Sequence, residues 1–159
     1  AKAYNHEFGT DIKIVRFFNV YGYGQSNKFV IPIFINGALE NKPLRVFGDG
    51  SQTRCFTYVG DIADAVLMVL EKGKTGEAYN IGNNNPTTIF ELAQAIKELT
   101  GSKSEIIKSG FGKETRLKER EIEYRVPDIS KMNALGWKPN TMVREGVKKV
   151  LELKKSKSN

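Results

Sequence analysis

Residues 12–24 read IKIVRFFNVYGYG, and this stretch decides the fold. From Ile12 to Val20 it is β-branched, aromatic and almost continuously apolar around Arg16, a pattern typical of a strand covered on both faces. A glycine-rich loop at residues 21–27 follows the strand. Because strands buried on both faces occur mainly in parallel sheets flanked by helices, this stretch predicts an α/β domain.

Helical and extended segments alternate along the rest of the chain. Apolar spacing, capping residues and glycine stops predict helices at residues 1–8, 29–40, 62–71, 88–100, 128–136 and 142–155. Runs of β-branched and aromatic residues predict strands at residues 44–47, 53–59, 78–81 and 105–108. This β/α alternation predicts an α/β fold with a mostly parallel sheet.

Three helix boundaries carry specific signals. Gly9 follows the first helix, and glycine adopts the left-handed cap conformation at little cost. Thr88 and Glu91 have the spacing of a capping box. Asp61 stands directly before the third predicted helix, so we expect its carboxylate to cap that helix. The stretch 110–125 is charged and aperiodic and is predicted to be a mobile loop.

The composition excludes several classes of protein. With 159 residues, of which 40% are hydrophobic, the chain has the size and composition of an ordinary folded domain. It contains neither an apolar run of membrane-spanning length nor a signal-peptide pattern, so we expect a cytoplasmic protein without a membrane partner. The single cysteine, Cys55, cannot form an internal disulfide. With one histidine, His6, no Cys/His metal cluster can be assembled, and we expect no metal site.

The chain is basic, with a net charge of +7 from 25 Lys and Arg against 18 Asp and Glu. Residues 1–80 contribute +1 (9 basic, 8 acidic) and residues 81–159 contribute +6 (16 basic, 10 acidic). A basic nucleic-acid-binding module is therefore one hypothesis. Such a module interleaves aromatic with basic residues, whereas here the aromatics cluster at residues 4–58, apart from the positive excess. The aromatic and basic residues therefore do not coincide as they would in a single-strand binder, and a membrane surface or an acidic small ligand is an alternative partner.

Two residues in the first half of the chain are candidates for ligand binding. Asn19 lies at the carboxyl end of the first predicted strand, where ligands bind in open α/β sheets, although an Asn there could equally close a turn. Arg54 could clamp a phosphate or carboxylate with its planar guanidinium. An ion pair with Asp61 or Asp64 is an equally simple interpretation of Arg54.

A second candidate pair lies after the predicted mobile loop. Arg125 and Asp128 flank Val126-Pro127, and the fixed backbone of Pro127 allows a cation and an acid three residues apart to face one site. The alternative is that Asp128 only caps the short helix that follows it.

The sequence contains few residues that could form a catalytic triad or dyad. Only His6 could serve Ser/His/Asp or Cys/His chemistry, and no Asp or Asn is placed to orient it. The segment Gly22-Tyr23-Gly24 lacks the third glycine and the downstream acid of a dinucleotide-binding loop. The chain therefore carries no complete dinucleotide site.

Five segments, taken in order, resemble the motifs of one family. They are RFFNVYG at 16–22, VFGDGSQTR at 46–54 with Phe56 and YVGD at 58–61, YNIG at 79–82, RVPD at 125–128 and LGWKP at 135–139. These segments are similar to those of the extended short-chain dehydrogenase/reductase family of NAD-dependent nucleotide-sugar epimerases, dehydratases and decarboxylases. One departure is Tyr23-Gly24, because the family usually has Pro after Tyr-Gly.

The resemblance implies a domain assignment. Residues 1–159 would be the C-terminal, substrate-binding half of such an enzyme, comprising the last parallel strands of an extended Rossmann-type fold and a small substrate-binding α/β lobe. The helix at 1–8 has no N-cap of its own, and in the family it would end the helix that carries the catalytic Tyr-x-x-x-Lys. We therefore expect that motif and the NAD-binding half upstream of residue 1, and no activity from this chain alone.

The resemblance also implies a reaction. The motifs are most similar to those of UDP-glucose 4-epimerases, which invert sugar C4 through a transient 4-keto intermediate with NAD as the cofactor. UDP-glucuronate decarboxylase and NDP-sugar 4,6-dehydratase activities are the alternatives. The family further implies a homodimer for the complete enzyme.

Site roles follow from the resemblance, motif by motif. The residues that would contact the diphosphate of a UDP-sugar are Asn19, Arg54 and Arg125. The residues that would form the nucleobase pocket are Phe29, Val30, Arg45 and Phe47. Asp128 would accept hydrogen bonds from the ribose hydroxyls, and Phe18 would line the nicotinamide side of the cofactor.

Overall fold

The structure, a computed structural model, describes residues 1–110, 122 and 124–157. Its helices in these ranges are α1 (Lys2–Phe8), α2 (Val30–Leu39), α3 (Val59–Lys72), α4 (Ile89–Thr100), α5 (Ser130–Ala134) and α6 (Val143–Ser156). Its strands are β1 (Ile14–Phe17), β2 (Val20–Tyr21), β3 (Leu44–Phe47), β4 (Thr53–Arg54), β5 (Thr57–Tyr58), β6 (Ala78–Ile81), β7 (Thr87–Thr88), β8 (Ile106–Ser109) and β9 (Tyr124–Arg125). Most of the stretch predicted to be a mobile loop lies outside the described residues.

Most strand pairs are parallel. β1 pairs with β6, β2 with β5, and β3 with β8, all in parallel, while β4 lies between antiparallel β7 and parallel β9. Helices and further strands lie between the parallel partners in the chain, since parallel pairing requires a long crossover connection. The prediction of an α/β fold with mostly parallel strands is confirmed.

The predicted capping box and the predicted glycine stop at residue 9 are confirmed. The Thr88 hydroxyl accepts a hydrogen bond from the backbone N–H of Glu91 at 3.1 Å, and the Glu91 carboxylate accepts one from the Thr88 N–H at 2.8 Å. The bond from the Thr88 N–H, together with one from the Thr88 hydroxyl to the same carboxylate, lowers the pKa of Glu91. Gly9 ends α1 in the left-handed region, with a φ of 64°.

The single strand predicted over residues 12–20 is wrong in two respects. It breaks at Phe18 and Asn19 into β1 and β2, because Asn19 adopts a φ of 40°, which no strand accommodates. Arg16 and Phe17 are exposed at the end of β1, so this part of the strand is not covered on both faces. Among the described residues β1 has one strand neighbour, β6.

One predicted helix cap is wrong. Asp61 lies inside the first turn of α3, and its carboxylate accepts hydrogen bonds from the N–H and the hydroxyl of Thr141, both at 2.9 Å. A buried tertiary contact has therefore replaced the local cap. The capping interpretation of Asp128 is supported, because its carboxylate accepts a hydrogen bond at 2.9 Å from the N–H of Ser130, the first residue of α5, and this bond lowers the pKa of Asp128.

The apolar residues form two clusters. The larger one packs α2, α4 and α6 against β3, and its members with the least exposure are Phe34, Leu44, Val46, Leu92, Ile96 and Val147. The smaller one packs α3 and α5 against β6, with Ile81, Ala65, Met132 and Trp137 at its centre. The candidate site described below lies beside the larger cluster. None of the described helices is both long enough and apolar enough to cross a membrane.

A close contact joins α6 to β2. Tyr21 is buried and its hydroxyl donates a hydrogen bond to the carbonyl of Val143 at 3.3 Å, and burial raises the pKa of this hydroxyl. A Cβ atom at Gly146 would lie 1.9 Å from the Tyr21 hydroxyl oxygen and 2.8 Å from the ring carbon that bears it. Only glycine therefore allows α6 to pack this closely.

We predict that Gly146→Ala lowers the free energy of unfolding by about 2 kcal/mol, because the added methyl group overpacks a closed contact. In an open helix the same change would stabilise by up to about 1 kcal/mol, so the sign is informative. Urea unfolding followed by circular dichroism measures the effect. Gly110→Ala is the control, since a Cβ there meets no atom of the described residues within 4 Å. An unchanged or raised midpoint for Gly146→Ala would contradict the prediction.

Candidate functional site

A cavity of about 730 Å³ lies between residues 17–21, the start of α2, and strands β3 and β4. Its volume is within the range of small-molecule sites. The lining residues are Phe17, Asn19, Val20, Tyr21, Gln25, Lys28, Phe29, Val30, Ile31, Ile33, Phe34, Arg45, Phe47, Gln52, Arg54, Phe56 and Ile89.

The cavity brings together most of the side chains that the sequence analysis assigned to a ligand. Those that line it are Asn19, Phe29, Val30, Arg45, Phe47 and Arg54. They come from four separate segments of the chain, so their meeting reflects the tertiary fold. Their individual roles toward a ligand remain predictions.

Asn19 is held in an uncommon conformation at the cavity wall. Its φ of 40° lies in the left-handed region, which Asn enters more readily than most residues. Its side-chain amide donates a hydrogen bond to the carbonyl of Cys55 at 3.0 Å. An amide nitrogen carries two N–H donors, so one donor can still serve a ligand in the cavity.

The polar part of the cavity is positively charged. Arg45 alternates with buried Leu44 and Val46 along β3, so its exposed side chain lies on the other face of the strand. Half-buried Arg54 donates from Nη1 to the carbonyl of Thr53 at 2.8 Å. Lys28 adds a third cation, and the described lining includes no Asp or Glu. This charge suits an anionic ligand.

The apolar part of the cavity forms its rim. Phe29, the N-cap residue of α2, is 56% exposed, and Ile33, one turn further along the helix, is 48% exposed. Phe47 and Val30 are half-buried beside them. Large apolar side chains left in water next to three cations suit a ligand that has both a flat apolar part and an anionic part.

Three predicted residues lie outside the described lining. Arg125 stands opposite Arg54 in the pairing of β9 with β4, so its backbone is adjacent to the cavity. Asp128 is exposed, and its backbone carbonyl accepts a hydrogen bond from Asn80 at 3.1 Å. Phe18 lies at the carboxyl end of β1 against Gly82, where a Cβ would stand 2.9 Å from the Phe18 Cβ.

Sequence reasoning missed Gln52, just before β4, and two polar loop residues that line the cavity, Gln25 and Lys28. The Gln25 amide nitrogen donates to the carbonyl of Val20 at 2.7 Å, and its oxygen is buried without a hydrogen-bond partner among the described residues. Gln25 and Lys28 lie in the loop between a strand end and a helix start. Because ligands of α/β folds bind at such loops, this position in the sequence could have identified both residues as candidates.

The first comparison with known proteins concerns the family. The sequence profile described as "NAD dependent epimerase/dehydratase family" matches residues 1–82. This range includes α1, the break at Asn19, most of the cavity and strand β6.

Curated relatives carry several related names. The chain is 42% identical over 160 residues to a putative UDP-glucose 4-epimerase of Methanocaldococcus jannaschii, covering 98% of this chain and 49% of the relative. It is 38% identical to a UDP-N-acetyl-alpha-D-glucosaminuronate decarboxylase of Bacillus cytotoxicus, covering 91% of this chain and 46% of the relative. It is 37% identical to the human dTDP-D-glucose 4,6-dehydratase, covering 95% and 43%. The chain thus spans about half the length of the curated relatives it matches.

Solved structures are similar over the whole chain. The UDP-glucose 4-epimerase of Thermotoga maritima, crystallised with UDP-glucose, is 30% identical with a TM-score of 0.87, covering 99% of this chain and 50% of that one. The dTDP-glucose 4,6-dehydratase of Bacillus anthracis, in complex with NAD, is 30% identical with a TM-score of 0.82, covering 98% and 48%. The family resemblance of the five motifs is confirmed, and this chain belongs to the NAD dependent epimerase/dehydratase family.

Proposed function

We propose that this chain is the substrate-binding half of an NAD-dependent nucleotide-sugar enzyme and that its cavity holds a UDP-sugar. The observation that supports this most strongly is a cavity with three cations, an apolar rim and no acid in its described lining. A nucleotide sugar combines a dianionic diphosphate with a flat base and suits both parts. Arg54 and Asn19 would bind the diphosphate, and Phe29, Val30, Arg45 and Phe47 would enclose the base.

The reaction that we propose is the inversion of sugar C4, as in a UDP-glucose 4-epimerase. The relative from M. jannaschii supports this choice because its match covers 98% of the chain at the highest identity among the relatives compared above. Decarboxylation of a UDP-uronate is the second candidate, supported by the B. cytotoxicus relative. A 4,6-dehydratase is the third, supported by the human relative.

The cofactor would be NAD, and the residues of this chain fit only part of it. NAD accepts a hydride from the sugar and later returns it. The sequence has no complete G-x-G-x-x-G segment for its pyrophosphate, since Gly22-Tyr23-Gly24 lacks the third glycine. Phe18, at the carboxyl end of β1 beside Gly82, offers an apolar surface where ligands of α/β sheets bind, which fits one side of a nicotinamide. Asp128 would bind the ribose of the UDP-sugar and Arg125 its diphosphate.

We assign the remaining NAD-binding and catalytic residues to a separate half of the enzyme. β1 pairs with β6 on one edge, and its other edge has no strand partner in the described part of the chain. Tyr4 and Phe8 on α1 and Leu67 and Leu70 on α3 are between 57% and 66% exposed. The open edge of β1 and the exposed apolar faces of α1 and α3 suit an interface with the NAD-binding half. The complete enzyme would be a homodimer.

The contribution of this chain to catalysis would be binding and orientation. When the diphosphate and the base are bound, the sugar is the part of the ligand that would project toward the cofactor. The binding energy of the nucleotide would then be used to align the reacting carbon of the sugar. The Tyr-x-x-x-Lys pair, expected in the other half, would move the proton.

Binding of UDP tests the proposed ligand. We expect the 159-residue protein to show a melting temperature that rises with UDP concentration. Arg54→Ala should weaken UDP binding by about tenfold to a hundredfold, because a charged hydrogen bond to a phosphate is lost. Isothermal titration calorimetry measures the change in Kd.

Arg144→Ala is the matched control for Arg54→Ala. Arg144 is an exposed arginine on α6 whose Nη1 bonds to Glu98 at 2.7 Å, and it is not part of the described cavity lining. Its removal should leave UDP affinity unchanged. The proposal fails if millimolar UDP produces no shift, or if both variants lose the same affinity.

Turnover tests the division into halves. We predict that the 159-residue protein does not interconvert UDP-glucose and UDP-galactose in the presence of NAD, because it lacks the catalytic base and most of the cofactor site. An assay coupled to UDP-glucose oxidation detects the reaction. Measurable epimerisation by this chain alone would show that the assignment of the missing half is wrong.

Salt dependence tests the nucleic-acid alternative. We predict only weak, millimolar-range association with single-stranded DNA. A fluorescence anisotropy titration showing sub-micromolar binding that falls steeply with salt would instead favour a basic nucleic-acid-binding module.

A further inference from the structure

Thr57 is a fully buried polar residue directly behind the break between β1 and β2. It belongs to β5 and stands opposite Val20 in the parallel pairing with β2. It does not line the described cavity, so it makes no direct contact with a ligand there. Its hydrogen bonds nevertheless converge on the two residues at the break.

Two polar groups of Thr57 donate hydrogen bonds to the carbonyls of the two residues at the break. The Thr57 hydroxyl donates to the carbonyl of Phe18 at 2.9 Å, and the Thr57 N–H donates to the carbonyl of Asn19 at 3.1 Å. The carbonyl of Cys55, two residues earlier, accepts the hydrogen bond from the Asn19 side chain. One short segment therefore fixes both the backbone and the amide group of Asn19.

A further hydrogen bond, from the segment after β6, holds the Thr57 hydroxyl in place. The hydroxyl accepts a hydrogen bond from the backbone N–H of Asn83 at 2.8 Å, just beyond the end of β6. The Asn83 side chain donates to the carbonyl of Thr141 at 3.3 Å, and Thr141 in turn bonds to Asp61. With both its donor and an acceptor site in use, the hydroxyl has one favoured orientation.

The conformation that these bonds maintain is not one the backbone adopts freely. A residue with a Cβ at a φ of 40° is uncommon, and such geometry persists when surrounding contacts over-determine it. The adjacent Phe18 continues the ladder, since its N–H donates to the carbonyl of Ile81 at 3.0 Å. The turn therefore directs two neighbouring side chains: Asn19 to the cavity and Phe18 to the surface beside Gly82.

We propose that Thr57 is a positioning residue whose hydroxyl holds Asn19 and Phe18 in their binding orientations. This inference rests on the proposed function, in which these side chains meet the UDP-sugar and the cofactor. Valine has nearly the shape of threonine, so Thr57→Val removes the hydroxyl and leaves the apolar contacts. Thr57→Ser restores the hydroxyl.

Thr141→Val is the matched control. Thr141 is also buried, its hydroxyl also bonds within this network, and it does not line the described cavity. Its lost bond goes to Asp61 and not to the break. Both valine variants should be less stable to urea than the unmodified chain, which controls for a general loss of stability.

UDP affinity and amide hydrogen exchange, followed by mass spectrometry, separate the outcomes. For Thr57→Val we expect about a tenfold weaker Kd for UDP, or about 1.4 kcal/mol, and faster exchange confined to residues 18–21. Thr57→Ser should restore both values, and Thr141→Val should change neither. Such a result would support positioning, because a merely structural loss would affect both valine variants alike.

The proposal is overturned if Thr57→Val binds UDP as the unmodified chain does, or if exchange at residues 18–21 does not change. If the unmodified chain fails to bind UDP, the proposed function is what fails. The exchange of residues 18–21 still decides whether Thr57 holds the turn, because that measurement needs no ligand.

Discussion

The left-handed backbone at Asn19 is the constraint on which the arrangement of the site depends. Without it, residues 12–21 would continue as one strand in one sheet. With it, β1 remains beside β6 while β2 turns to pair with β5. The chain can then build two parallel pairs from one apolar stretch, and the point where they separate becomes a wall of the cavity. In open α/β sheets a crevice forms at the carboxyl ends of the strands where the strand order reverses. Here the break between β1 and β2 leaves a similar crevice at the carboxyl end of β1.

The cavity is coupled to the helical layer through β2. Tyr21 lines the cavity on one side and lies against Gly146 of α6 on the other, with its hydroxyl bonded to Val143. Its ring also meets Tyr58 edge to face, with centroids 5.9 Å apart. Because the ring fills the space between α6 and the strand, α6 has little freedom to shift without moving the cavity wall. The final helix is thus part of the support for the site.

Features that depend on neighbouring residues in the chain could be predicted, whereas those that depend on distant partners could not. The Thr88 and Glu91 capping box needs only residues three apart, and its prediction is confirmed. Asp61 had the same local signal for a cap, but its carboxylate bonds to Thr141, 80 residues away. The turn at Asn19 is likewise set by Cys55 and Thr57, which no local pattern identifies. The family resemblance did identify six of the lining residues, because its motifs mark positions in a fold the family shares.

The distribution of charge explains why a net charge of +7 does not require a polyanion. Many surface cations are neutralised locally, as in the pairs Lys13–Asp11, Lys42–Glu40, Lys131–Glu77, Arg144–Glu98 and Lys149–Glu145. The lysine partners lower the pKa values of Asp11, Glu40 and Glu77, so these acids stay ionised at neutral pH. Exposed pairs of this kind contribute little to stability, and because each joins one cation to one acid the seven excess charges lie elsewhere on the chain. In the cavity Lys28, Arg45 and Arg54 share one apolar-rimmed space whose described lining contains no carboxylate. Three of the basic side chains therefore surround a space of small-molecule size, so their presence in the chain does not require a polyanion.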